Sequence, residues 1–268
     1  SRSIGAAAAE GSIYMTAQNP LRPLASQLLA IAVGAANSAA DLLLARQDKE
    51  YSIRFKSHGE IVTDVDIEAE RLIRRFILSE RPHDSILGEE EAPVQGKTGI
   101  TWLIDPIDGT TNYLRKLPGY TVSIAARSES ITLAAAVCDP VHHKLYTASC
   151  ARGAFCNNRR VSVSKADDLS TSLIGTGLSV EMDVRLRQAA RLAELSQQIG
   201  DVRCSGGCAY DLCQVAAGHL DGYYEAYVKP WDYAAGILIA KEAGAEVREQ
   251  RLDDSMNGFI VAAAPGIA

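Results

Sequence analysis

Hydrophobic positions along the 268-residue chain change period several times, and those changes divide it into elements. Residues 24–46 carry apolar side chains at helical spacing, with Pro23 just ahead, which predicts a long helix. A second helix is expected over 61–80, with Leu72, Ile73, Phe76 and Ile77 on one side and Pro82 ending it. Ser85-Ile86-Leu87 reads as a short strand running into Gly88-Glu89-Glu90-Glu91. Trp102-Leu103-Ile104 reads as a buried strand that stops at Asp105-Pro106, because proline cannot donate to a sheet and fixes its own φ. From 120 to 150 the pattern turns to β, with 121–126, 131–138 and 144–148 as three strands of a meander. The second half alternates strands (172–176, 202–205, 222–227, 245–248, 258–263) with helices (181–199, 208–217, 230–243). Alternation after an antiparallel block predicts a layered α/β fold.

No internal repeat or clear linker interrupts this order. The polar, turn-like stretch near 163–170 is the best candidate for a subdomain boundary within one domain spanning 15–268. Residues 1–14, with their alanine run, read as a vector-derived or disordered segment ahead of Met15.

Composition narrows the class. An apolar fraction of 47% and a charged fraction of 22% are those of an ordinary globular protein. The net charge is −6 and there is no Lys/Arg run, so no footprint for nucleic acid is expected. The apolar stretch 25–44 is broken by Ser, Gln, Asn and Asp, and no membrane association is expected. The six cysteines form no CxxC pair and have no His at zinc spacing, so they read as free buried thiols in a reducing cytoplasm.

The chemistry is concentrated at the ends of elements. In Asp105-Pro106-Ile107-Asp108-Gly109-Thr110, two carboxylates flank a rigid turn ahead of the backbone N–H groups of a helix start. Such a turn suits hard cations on the carboxylates and a phosphate on the N–H groups. Asp64 and Asp66 begin the second helix, Glu89–Glu91 follow a strand, and Asp232 sits just after Pro230-Trp231. Each has a structural explanation by itself: helix capping for Asp64, Asp66 and Asp232, a solvated loop for Glu89–Glu91. Together they supply what magnesium needs, carboxylates from several segments.

These residues resemble the inositol monophosphatase family. Residues 102–115 are similar to its first signature, and Trp231-Asp232-Tyr233-Ala234-Ala235-Gly236 through Ala243-Gly244-Ala245 to its second. Gly88-Glu89-Glu90 resembles the family's acidic loop, Lys56-Ser57 with 62–66 its N-terminal metal-associated segment, and Gly222-Tyr223-Tyr224-Glu225 its substrate-binding strand. The resemblance spans roughly 24–263 in the family's order and spacing.

The resemblance implies an αβαβα sandwich of the fructose-1,6-bisphosphatase type and Mg²⁺-dependent hydrolysis of a phosphomonoester. It implies a first metal on Glu89, Asp105 and the Ile107 carbonyl, and a second on Asp105, Asp108 and Asp232. A third, weaker magnesium would lean on Glu89 through waters. Thr110, paired with Asp66, would orient and help deprotonate the attacking water, with Glu89 contributing to catalysis. Gly109 and Thr110 N–H groups, with Asp108 close by, would face the phosphate; Gly206, Gly207, Cys208 and Glu225 would face the alcohol. The family usually shows Gly-Ser/Thr-Ala where this chain has Gly206-Gly207-Cys208, so a side-chain hydroxyl is missing while backbone donors are expected to remain.

The expected activity is hydrolysis of myo-inositol 1-phosphate or a related small polyol phosphate by a cytoplasmic homodimer, with lithium sensitivity a family trait. The alternatives are a histidinol-phosphate phosphatase, then a fructose-1,6-bisphosphatase. A 3′-phosphoadenosine 5′-phosphate phosphatase is disfavoured by the short loop between Glu91 and Trp102. From a different class comes a non-catalytic partner in a transcription complex, disfavoured because Glu89, Asp105, Asp108 and Asp232 are all present.

Overall fold

A computed structural model of the chain describes residues 21–56, 61–129 and 131–268. Residues 1–14 and Ser57 lie outside the described residues. The first helix, α1 (Leu21–Arg46), is followed by the antiparallel pair β1 (Ile53–Phe55) and β2 (Ile61–Thr63), and then by α2 (Asp64–Glu80). The expected single helix over 61–80 is therefore a strand and a helix. Ile61-Val62-Thr63 is β-branched and favours extended backbone. Thr63, itself extended, caps α2 by accepting from the N–H groups of Val65 and Asp66.

A seven-stranded sheet carries β3 (Ser85–Gly88), β4 (Ile100–Asp108), β5 (Thr121–Ser128), β6 (Ile131–Asp139), β7 (Lys144–Ser149), β8 (Ala154–Cys156) and β9 (Arg159–Arg160) in chain order. The meander thus extends two strands beyond the three read from sequence. Between β4 and β5 lies the short helix α3 (Thr110–Arg115). The second half adds β10 (Leu173–Thr176), α4 (Met182–Leu195), β11 (Asp201–Arg203), α5 (Cys208–Ala216), β12 (Gly222–Val228), α6 (Pro230–Glu242), β13 (Glu246–Arg251) and β14 (Gly258–Ala263). Its strands form a mixed five-stranded sheet in the order β11-β10-β12-β14-β13.

The layers follow from alternation along the strands. Trp102 and Ile104 of β4 enter the core shared with α1 and α2, whereas Leu103 enters the core shared with α5 and α6. Helices α5 and α6 bury their other side against the five-stranded sheet, through Tyr223 and Ile260 among others. The far face of that sheet meets α4 across a largely apolar cavity of about 350 Å³. The result is an αβαβα sandwich. By length and composition α1 could cross a membrane, against the expectation that its polar residues would break the run. Here Leu28, Ala32, Ala35, Ala36, Ala39 and Leu43 are buried in the outer core. All six cysteines are unpaired; Cys138, Cys208 and Cys213 are buried, but Cys204 is exposed, contrary to the expectation for all six.

Candidate active site

The acidic turn owes its geometry to a bulge. Asp105 and Asp108 are three residues apart, so in a regular strand they would leave opposite faces. Strand β4 does not stop at Pro106 as expected but runs on to Asp108. Its pairing with β5 slips by one residue on the way, from Asp105 opposite Ser123 to Asp108 opposite Thr121. The extra residue re-aims the strand end, and proline is tolerated at such a bulge because no ladder bond is required of it. Asp105 and Asp108 then line one cavity of about 180 Å³, together with Glu89, Ile107, Asp232, Gly206 and the Gly109-Thr110-Thr111 turn. Gly109 opens α3 at φ +88°, a left-handed conformation that favours glycine.

The other acidic residues arrive from separate elements. Glu89 follows β3 and is held in line with β4 by its N–H donating to the Ile104 carbonyl at 3.2 Å. Asp232 stands in the first turn of α6, where its Oδ2 accepts from the Lys229 N–H at 2.6 Å. Asp66 does two jobs. Its Oδ2 accepts from the N–H (2.7 Å) and hydroxyl (2.6 Å) of Thr63 as a helix cap, and its Oδ1 faces the Thr110 hydroxyl at 3.2 Å. The single Thr110 hydroxyl proton has a second acceptor, the Ile107 carbonyl at 3.1 Å. Asp64 is not part of this cluster, because it binds Arg46 and the Ser52 N–H.

Burial and like charge dominate the electrostatics. Asp105 is held well above the usual carboxylate range, first by burial and then by the charges of Glu89, Asp108, Asp232 and Asp66. Asp232 is raised by burial and by Glu89. Burial pushes Asp108 up to about 7 against the pull of its hydrogen bonds from Tyr210, Thr121 and Cys208. Glu90 reaches about 8 through burial and the charge of Glu89. The countercharge is Lys56, whose Nζ lies 2.9 Å from Glu89 Oε1 and 2.6 Å from Glu90 Oε1. Burial lowers the Lys56 pKa, but the two glutamates outweigh that and keep it charged.

Among the described residues, no group of three or more His, Cys, Asp or Glu side chains is arranged to hold a metal ion as it stands. Glu89 is engaged by Lys56, and one Asp232 oxygen is spent on its helix cap. The donor set nevertheless fits a hard cation in kind, since carboxylates and a backbone carbonyl are the ligands magnesium takes. Among the described residues, Lys56 is the lysine ion-paired with these glutamates, and the remaining buried carboxylates leave negative charge uncompensated.

One expectation on the alcohol side needs correction. The Cys208 N–H donates to Asp108 Oδ1 at 2.8 Å, and the Tyr210 N–H to Asp108 Oδ2 at 3.0 Å. Asp108 thus caps α5, and the Cys208 amide is not available to a substrate. Gly207 also has a reason of its own, because a Cβ there would lie 2.7 Å from Asp108 Oδ2 and 2.9 Å from the Gly119 carbonyl. Glu225 does not line the cavity of Asp105 and Asp108. It is partly exposed, accepts a hydrogen bond from the Tyr223 hydroxyl, and is raised to about 7 by burial.

Two residues that hold the acidic loop escape a reading of the sequence. Glu70 is fully buried and accepts from the N–H groups of Glu90 (2.7 Å) and Glu91 (3.2 Å). Arg74 binds Glu70 at 2.7 Å and donates to the carbonyls of Glu91 and Ala92. A Glu–Arg pair four residues apart on a helix normally signals a solvated face, so nothing in the pattern marks it as buried. Glu70→Ala should destabilise the fold by about 3–5 kcal/mol, because it strands a buried guanidinium. Urea unfolding of the two proteins measures the loss, and a change below about 1 kcal/mol would show that the pair does not hold the loop.

Comparison with known proteins gives the family. The chain matches the inositol monophosphatase family over residues 24–267. It is 44% identical over 218 residues to the inositol-1-monophosphatase of Mycobacterium leprae, covering 77% of this chain and 75% of that protein. It is 38% identical over 247 residues to the Nus factor SuhB of Pasteurella multocida, covering 90% and 92%. The crystal structure of the extragenic suppressor protein suhB from Bartonella henselae superimposes with a TM-score of 0.84 at 31% identity, covering 90% and 95%. The family is in general metal-dependent and acts on small phosphorylated molecules. The chain belongs to the inositol monophosphatase family and is a phosphatase.

Proposed function

We propose that this enzyme hydrolyses myo-inositol 1-phosphate or a closely related polyol phosphate, with two to three Mg²⁺ ions at the carboxylate cavity. The observation that carries the reading is the convergence of Glu89, Asp105, Asp108 and Asp232, drawn from three parts of the chain, on one cavity. Glu89, Asp105, the Ile107 carbonyl, Asp108 and Asp232 would hold the ions. Bound magnesium would make a water acidic enough to attack near neutral pH and would stabilise the leaving alkoxide. Thr110 and Asp66 would orient that water and take its proton, since the Thr110 hydroxyl already contacts Asp66 Oδ1 and no histidine among the described residues lines the cavity. The backbone N–H groups of Gly109 and Thr110 would meet the phosphate oxygens. Glu225 would accept hydrogen bonds from the alcohol. The name of the M. leprae relative favours inositol 1-phosphate over histidinol phosphate and fructose 1,6-bisphosphate.

We also propose a cytoplasmic homodimer, with a subdomain boundary near 163–170. A second reading, membership of a transcription assembly, draws on relatives that carry the Nus factor name. Release of phosphate from a panel of inositol 1-phosphate, histidinol phosphate and fructose 1,6-bisphosphate, with and without Mg²⁺, tests the substrate. Inositol 1-phosphate should give the highest kcat/KM and only with Mg²⁺. A wide margin for histidinol phosphate would overturn the assignment, and no turnover of any phosphate would favour the assembly reading.

A further inference from the structure

Strand β12 carries a device aimed at Glu225. Tyr223 and Glu225 are two residues apart, so their side chains leave the same face of the strand. Tyr223 is buried in the core beneath α5 and α6, and its hydroxyl donates a hydrogen bond to Glu225 Oε2. The other carboxylate oxygen lies over Gly177, where a Cβ would overlap Glu225 Oε1. The buried Cys208 thiol sits beside the Tyr223 hydroxyl and in the field of Glu225. A glutamate has three rotatable bonds, and fixing them before a ligand arrives removes an ordering cost from binding.

We infer that Tyr223 is a positioning residue that holds Glu225 Oε2 and so fixes the carboxylate that would accept from the hydroxyl groups of the substrate alcohol. The inference rests on the reading of Glu225 as the acceptor for a polyol. When ionised, the Glu225 carboxylate can only accept, so the device favours leaving groups that bring free hydroxyl donors. A tyrosine serving only to fill the core would have no such selectivity.

The test is steady-state kinetics with Mg²⁺ on inositol 1-phosphate and on phenyl phosphate, whose leaving group has no other hydroxyl. In Tyr223→Phe, KM for inositol 1-phosphate should rise about tenfold with kcat changed by less than about twofold, the scale of one hydrogen bond to a charged group. The ratio of kcat/KM for inositol 1-phosphate over phenyl phosphate should fall by the same factor. An unchanged ratio, including equal losses on both substrates, overturns the positioning role. Glu225→Gln separates that failure from failure of the underlying reading. If Glu225→Gln lowers the ratio and Tyr223→Phe does not, only the role of Tyr223 falls. If Glu225→Gln leaves the ratio at its wild-type value, the polyol reading falls as well. Should Tyr223→Phe be too unstable to purify, Gly177→Ala displaces the same carboxylate from its Oε1 side without touching the core ring. That variant must lower the ratio, and a wild-type ratio overturns the proposal.

Discussion

Replacing Asp105 by asparagine should reduce kcat/KM by at least about a thousandfold, roughly 4 kcal/mol of barrier, while the metal-free protein becomes more stable. Both effects have one cause. Asp105 is buried among Glu89, Asp108, Asp232 and Asp66, and its charge is costly unless cations offset it. Asparagine keeps the shape and can still accept the 3.0 Å bond from the Ile107 N–H, but it removes a charge that would help hold the metal ions. Stability should therefore rise, by about 2–4 °C in Tm for each kcal/mol of relieved repulsion. Asp64→Asn is the contrast. It also removes a carboxylate from the start of α2, but Asp64 binds Arg46 and the Ser52 N–H outside the cavity, so turnover should persist. Near-normal turnover in Asp105→Asn would end the metal-site assignment. A fall in its metal-free Tm would end the account of crowded charge.

Removing magnesium should abolish activity and also leave a pH signature in stability. Asp105, Asp108 and Asp232 at the cavity are raised in the folded state, Asp108 to about 7, and neighbouring Glu90 to about 8. Below about pH 4 they are protonated in folded and unfolded chains alike and impose no penalty. As pH rises, the unfolded chain ionises first, so stability falls between about pH 4 and 8 and the penalty is complete above the folded values. Asp84 behaves oppositely. Burial raises it, but hydrogen bonds from Arg81, Thr98 and Trp102 win and hold it low. Its contribution is already complete above about pH 4 and is flat through the window. Lys56 is raised, and its contribution persists until well above pH 8. Metal-free protein should thus melt at a lower temperature at pH 8 than at pH 5.5, and added Mg²⁺ should raise Tm more at pH 8. Calorimetry with EDTA and with Mg²⁺ at the two pH values measures this. An equal Mg²⁺ effect at both, or none, would show that the carboxylates are not where the ion binds.

Much of the fold was legible because periodicity survives into the structure at α1, at β5 to β7 and along the second half. The misreadings cluster where two local preferences compete. Ile61-Val62-Thr63 continues an apolar pattern into a helix, yet β-branching and the capping geometry of Thr63 make it a strand. Pro106 reads as a strand end, yet a bulge lets β4 continue to Asp108. In the site, Asp66 illustrates why one residue can satisfy two explanations: one oxygen caps a helix and the other meets Thr110. Cys208 shows the reverse. A backbone donor assigned to substrate is consumed by Asp108, a residue 100 positions away.

The sequence by itself determined the layered α/β class, the acidic residues at element ends and their likeness to a phosphatase family, because these depend on residue type and local spacing. Only the tertiary structure decided which carboxylates share a cavity, since that depends on a one-residue bulge and on elements far apart in the chain. Only the tertiary structure turned Glu70 and Arg74 from a surface pair into the buried clamp of the acidic loop. It also tied Glu225 to Tyr223, because side-chain hydrogen bonds are set by packing and leave no period in the sequence.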